Sequence, residues 1–223
     1  MNIVPSLEGP RGDHGQHVDE LAIESAKALL RRAVILRRDL RSAAQRRSDD
    51  AARFEVFRRR LSAGRRPRVV AAYLSWRSEP GTLQLVAWLA SQSSSVLLPV
   101  MTTSDGGART EAAWAPYAGP DALRVGVMSI LEPTTPLAPG QALASADLIV
   151  CPALAANTSG DRLGRGGGWY DRALQHASPT AELWALLNDD EVLEAIPTRP
   201  WDRRVGAIVT PSRFIDCRPR LPG

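Results

Sequence analysis

The spacing of apolar residues changes character along the chain. Between Val18 and Leu61, Ile23, Ala26, Leu30, Ala33 and Val34 recur at helical intervals with arginines between them, which predicts one or two long amphipathic helices. Beyond Arg68 the pattern becomes short, uninterrupted apolar runs: "RVVAAYLSW", "SVLLPV", "LRVGVMSI", "DLIVCPAL", "ELWALL" and "VGAIVT". Each suits a buried strand, and "EPGTLQLVAWLA" between the first two has the Pro/Gly opening and spacing of a helix. Fully apolar strands alternating with helices predict an α/β, three-layer fold: a central, mostly parallel, twisted sheet of about six strands, flanked by helices. Met101 to Gly119 carries little pattern and reads as a loop with "TSDGGART" at its tip. Residues 1–18, rich in Gly, Pro and His, read as a disordered extension. Residues 19–216 form the expected single domain, and 217–223 a C-terminal tail.

Composition narrows the class. With 223 residues, 44% apolar and 23% charged, the chain fits one ordinary globular domain. No run approaches the roughly 18 apolar residues of a membrane helix, and "MNIVPSLEGPRGDHGQH" lacks the basic-then-apolar pattern of a signal peptide. A cytoplasmic protein is expected, with Cys151 and Cys217 reduced and without a role. The formal net charge is +4; of 28 basic residues Lys27 is the only lysine, leaving 27 arginines. That skew resembles codon bias more than selection for a nucleic-acid partner, and "RRRLSAGRRPR" lacks the interleaved aromatics of a base-stacking surface. Lys27 is either a position that needs a compact ammonium or a lysine left by chance. It shares a helix face with Arg31; an anion would relieve the repulsion, although a solvated face would also tolerate it.

The candidate chemistry lies in "DLIVCPALAANTSGDRLGRGGGWYDRALQHA", a strand, a loop and a glycine cluster leading into a helix. Ligands of α/β folds bind beyond the carboxyl ends of strands. Backbone N–H groups at a helix start suit an anion, so phosphate is the natural guest; a surface turn without a ligand is the rival. The segment is not a P-loop, because Trp169 and Tyr170 stand where Lys and Ser or Thr are required. Nor is it a GxGxxG loop, which begun at Gly164 would need glycine at 169. Asp171, in the first turn of the expected helix, would be favourable there through the helix dipole alone.

"RLGRGGGWYDR" resembles the RLGxGxGYYDR signature of the 5-formyltetrahydrofolate cyclo-ligase family. Other pieces fall in that family's order: "AKALLRRAVILRRDL" is similar to its first helix, "AYLSWRSEPGT" to its strand with glutamate and threonine, "ILEPT" to its central EP, and "IPTRPWDRRVGAIVT" to its closing segment. The resemblance covers roughly residues 20 to 216. Trp169 replaces the first of the usual tyrosines, Trp201 replaces a histidine, and "AANTSG" lacks a customary phenylalanine.

The resemblance implies ATP- and Mg²⁺-dependent closure of 5-formyltetrahydrofolate to 5,10-methenyltetrahydrofolate, releasing ADP and phosphate by way of a phosphorylated formyl group. It implies ATP bound by Lys27, Arg31, Arg162, Leu163, Gly164, Arg165, Gly166, Gly167, Gly168, Trp169 and Tyr170. Arg165 and Lys27 would serve the transferred phosphoryl, and Asp171 and Asp202 would hold Mg²⁺. Leu74, Glu79 and Trp169 would contact the folate. No nucleic-acid or membrane partner is expected, and the protein would be a monomer or small homo-oligomer. Two rivals differ in class: a non-catalytic RNA-binding relative of the same fold, and a sugar-phosphate enzyme on a similar scaffold.

Overall fold

The computed structural model describes residues 13–92, 94–138, 142–199 and 201–218. In chain order these form α1 (Asp13–Leu40), α2 (Ala43–Ser62), β1 (Val69–Ala71), α3 (Leu83–Ser91), β2 (Ser95–Thr102), β3 (Ala108–Pro116), β4 (Leu123–Val125), β5 (Leu131–Pro133), β6 (Leu148–Pro152), β7 (Ala155–Asn157), β8 (Arg162–Leu163), α4 (Trp169–Leu174), β9 (Glu182–Leu186), β10 (Val192–Leu193), β11 (Ala207–Val209) and β12 (Phe214–Asp216), with short 3₁₀ turns between several of them. The main sheet has seven strands in the order β12-β11-β9-β6-β1-β2-β3. The five strands from β11 to β2 run parallel, and β12 and β3 close the edges antiparallel.

Five of the expected strands lie side by side in that parallel core, where burial on both faces explains their unbroken apolar character. The expectation fails in two places. "LRVGVMSI" contributes β4 to a separate two-stranded ribbon with β5, outside the main sheet. Met101 to Gly119, read as a loop, holds the end of β2 and all of β3, joined by the turn that "TSDGGART" spans. As an edge strand, β3 has a burial pattern that is mostly exposed or intermediate, so its sequence lacks a dense apolar run. The N-terminal boundary also shifts, since α1 begins at Asp13, inside the segment expected to be irregular. Residues 1–12 and 219–223 lie outside the described residues.

Two apolar layers sandwich the sheet. Phe57 and Leu61 of α2 and Leu85, Val86 and Leu89 of α3 cover one face. Leu143, Ala173 and Leu174 cover the other, packing with Trp114 of the edge strand β3. Helix α1 lies elsewhere: Val34 packs on Leu154, Ala155, Leu163 and Ile196, placing it across the small β10-β7-β8 sheet beyond the carboxyl ends of the parallel strands. A buried ion pair anchors it. Arg38, 1% exposed, donates to both carboxylate oxygens of Glu191 at 2.7 Å and to the Ala153 carbonyl at 2.8 Å. Burial opposes the charge of both partners, yet their mutual hydrogen bonds and attraction raise the guanidinium pKa and lower that of the carboxyl. Among the described residues no helix is long and apolar enough to cross a membrane.

Candidate active site

The glycine segment stands where β8 ends and the six-residue α4 begins. Gly166 and Gly168 have φ of +94° and +64°, a region costly for residues with a Cβ. At Gly166 a second restraint applies, because a Cβ would come within 3.3 Å of Arg31 Cζ. Arg31 reaches this loop from α1 and donates from Nε to the Gly164 carbonyl at 3.0 Å. The bare backbone is therefore shaped for close approach by a cationic side chain.

This loop divides two neighbouring cavities. The first, about 160 Å³, is polar and brings together Lys27, Arg31, Arg162, Leu163, Gly164, Gly166, Gly168, Asp171 and Asp202, with Glu24, Arg199 and Trp201 completing its wall. The second, about 350 Å³, takes in Leu74, Glu79, Arg165, Gly167, Trp169 and Tyr170, together with Tyr73, Trp76, Met101, Arg109 and Met128. Arg162, Gly164, Gly166, Gly168 and Asp171 border both. Each residue singled out in the sequence thus lines one of two clefts that share a wall.

Cations and carboxylates are matched in the polar cleft. Lys27, 5% exposed, places Nζ 2.5 Å from Asp202 Oδ2, which also accepts the Arg199 backbone N–H at 2.8 Å. Burial would raise the Asp202 carboxyl pKa; the Lys27 hydrogen bond, the Arg199 amide and the charges of Lys27 and Arg162 outweigh it and hold the carboxyl below its ordinary range. Asp171 pairs with Arg162 through Oδ1. Among the described residues, neither Oδ1 of Asp202 nor Oδ2 of Asp171 makes a hydrogen bond. No group of three or more His, Cys, Asp or Glu side chains suited to a metal occurs among the described residues, so any cation here would rest on two carboxylates and its guest's own oxygens.

The larger cleft is aromatic. Trp169 packs against Trp114 and Tyr170, with ring centroids 5.4 and 4.9 Å apart. Among the described residues, the Trp169 indole nitrogen and the Tyr73 and Tyr170 hydroxyls are buried without a hydrogen-bond partner. Such groups are rare in proteins and here cluster around one cavity. Burial, more than neighbouring charge, pushes both phenols well above their ordinary pKa. Glu79 accepts the Trp76 amide at 2.9 Å and pairs with Arg165 at 2.8 Å. Arg165, expected beside the transferred phosphoryl, lines this cleft with its guanidinium carbon 5.0 Å from the Trp76 ring centroid. Gly167, Trp169 and Tyr170, also expected with the nucleotide, line the aromatic cleft and not the polar one.

Sequence reasoning passed over several lining residues. Tyr73 and Trp76 sat inside the "AYLSWRSEPGT" motif, whose spacing could have flagged them. Arg109 and Met128 gave no signal: the first lies on the unrecognised β3, and the second between β4 and β5, where φ is +57°. The ribbon reaches the cleft because Glu132, 1% exposed, accepts the Met101 and Thr102 amides at 2.9 and 3.1 Å and Arg124 Nε at 3.0 Å.

Paired clefts at the carboxyl ends of parallel strands, one cationic and one aromatic around a shared glycine wall, define an α/β protein with the form of an enzyme site, one cleft suited to an anion and the other to a flat apolar group. Residues 23–211 match the 5-formyltetrahydrofolate cyclo-ligase family. The chain belongs to that family and is a ligase of folate metabolism. It is 40% identical over 148 residues to the 5-formyltetrahydrofolate cyclo-ligase of Mycolicibacterium smegmatis, covering 66% of this chain and 76% of the relative. The Escherichia coli K12 enzyme of the same name is 30% identical over 145 residues, covering 65% and 78%. The fold resembles the solution structure of Aquifex aeolicus 5,10-methenyltetrahydrofolate synthetase, with a TM-score of 0.73 at 24% identity over 88% of this chain and 95% of that one.

Proposed function

We propose that this ligase, which closes 5-formyltetrahydrofolate to 5,10-methenyltetrahydrofolate, couples the closure to ATP and Mg²⁺ across the two clefts. The observation that carries this reading is the shared glycine wall, which sets a cationic cavity against an aromatic one. The nucleotide phosphates take the polar side, where Lys27, Arg31 and Arg162 supply positive charge and Gly164, Gly166 and Gly168 leave the backbone open. The pterin takes the aromatic side between Leu74 and Trp169, where the Glu79 carboxylate suits its N–H donors.

A formamide carbon is a poor electrophile, so transfer of the terminal phosphoryl to the formyl oxygen creates the leaving group that attack by N10 later expels. The work of the protein in such a transfer is positioning and charge neutralisation rather than nucleophilic attack. Lys27 and Arg31 hold negative charge on the polar side, and Trp169 and Leu74 fix the ring across the wall. Asp171 and Asp202 fit Mg²⁺, which binds through one or two carboxylates plus substrate phosphates; when bound, it would neutralise phosphate charge. The protein acts in the cytoplasm, with no membrane or nucleic-acid partner.

The test is a near-ultraviolet assay for the methenyl product with 5-formyltetrahydrofolate, run with and without MgATP. Product is expected only with nucleotide, and Lys27→Ala and Asp202→Ala should each lower the rate at least about a hundredfold. Nucleotide-independent turnover of a sugar phosphate, or salt-dependent RNA association with no turnover, would replace the assignment with one of its rivals. Wild-type rates in both variants would remove the site assignment.

A further inference from the structure

The polar cleft ends at an exposed indole. Trp201 is 62% exposed, yet it shares the cavity wall with Lys27, Arg31 and Asp202. It stands in a tight turn in which the Asp202 amide donates to the Arg199 carbonyl at 3.0 Å and the Asp202 carboxylate accepts the Arg199 amide at 2.8 Å. Trp201 thus immediately precedes, in the chain, the carboxylate that Lys27 holds, and both line the same cavity. The Arg199 guanidinium carbon lies 5.3 Å from the indole centroid, and Glu24 of α1 grips that guanidinium at 3.1 Å.

Apart from the Arg199 guanidinium beside it, the indole at the mouth of this cation-lined cleft is mostly in water, and a flat ring laid on it would remove apolar surface from solvent. The brace formed by Arg199 and Glu24 also restricts the ring beforehand, which lowers the entropy cost of ordering it around a guest. A guest whose phosphates reach Lys27 and Arg31 carries such a ring at its other end.

We propose that Trp201 is the surface on which the nucleobase stacks when a nucleoside triphosphate occupies the polar cleft. This inference rests on the reading of that cleft as the nucleotide site. Stacking of a base on an aromatic side chain uses the π-face of the base, so Trp201 contributes to holding the nucleoside and not to holding the phosphates.

Isothermal titration calorimetry of the full chain with ATP and, separately, with inorganic tripolyphosphate distinguishes the two ends of the guest. Trp201→Ala should weaken ATP on the order of 5- to 100-fold and leave tripolyphosphate within about twofold of wild type. Trp201→Phe should restore most of the ATP affinity. The ring is largely exposed, so its removal leaves the core intact. Unchanged ATP affinity in Trp201→Ala, or equal losses for ATP and tripolyphosphate, would overturn the proposal. If wild type bound neither ligand, the assignment of the cleft to a nucleotide would fall, and the stacking role with it.

Discussion

Removing the Glu191 carboxylate should cost this protein a large share of its stability. Arg38 and Glu191 are 1% and 2% exposed, and the carboxylate receives two guanidinium hydrogen bonds at 2.7 Å together with the Asn188 backbone and side-chain N–H groups at 2.8 Å each. In Glu191→Ala the guanidinium keeps the Ala153 carbonyl at 2.8 Å but no counter-charge within the pair. Breaking a buried ion pair from one side costs about 3–5 kcal/mol, against a total of about 5–15 kcal/mol for a typical domain. At about 2–4 °C per kcal/mol for a chain of this size, the melting midpoint should fall by roughly 6–20 °C. The double variant Arg38→Met/Glu191→Leu, which removes both charges and fills the space, should recover most of that loss. Urea titrations of the three proteins, compared at matched slope, measure the differences. A single-variant loss below about 1 kcal/mol, or a double variant as unstable as the single, would refute the claim that charge burial governs this site. Arg38 shares its helix face with Lys27 and Arg31, so a loosened α1 should also raise the apparent Kd for ATP.

Gly166→Ala places a Cβ at φ +94° and 3.3 Å from Arg31 Cζ, so a urea titration should show a loss of about 1–3 kcal/mol and nucleotide affinity should drop at least about tenfold; equal affinity would show that Arg31 needs no such approach. Cys151 and Cys217 are free and buried, and burial pushes both thiols up to about 11. Neither should react with a thiol reagent at pH 8 in the native protein, and both should react once it is unfolded; a fast native thiol would contradict this burial. The carboxyls of Glu191 and Asp202 lie below their ordinary values of 4.5 and 3.8, so the stability they confer is complete above that range and disappears as pH falls through the lowered values. Denaturation free energy should be flat from about pH 7 to 5 and decline below about 4.5; a protein that gains stability on acidification through that window would reverse the sign.

The residues recognised in the sequence show how far pattern alone reaches. The five parallel strands were legible because strands buried on both faces are apolar at every position, which makes them visible without partners. The glycine segment was legible because few backbones need four glycines in five positions, Gly164 and Gly166 to Gly168. Lys27 drew notice as the only lysine, but its link to Asp202 was legible only through a family pattern, since 175 positions separate them and nothing local in either implies the other. β3 was obscure for a physical reason, since an edge strand buries too little surface to impose a periodic apolar code; β4 was visible as a strand in "LRVGVMSI", but nothing local tells that it pairs with β5 outside the main sheet.

Alone, the sequence determined that this chain would build a parallel sheet and leave one stretch of backbone bare, because apolar content and glycine spacing are local properties. Only the tertiary structure decided which side of that bare stretch each residue would occupy. It turned Arg165 toward Glu79 and Trp76, brought Met128 over the aromatic cleft on a ribbon pinned by Glu132, and set Trp201 beside the cations of α1. These placements depend on contacts between segments far apart in the chain, whose geometry is fixed when the core packs and leaves no trace in local spacing.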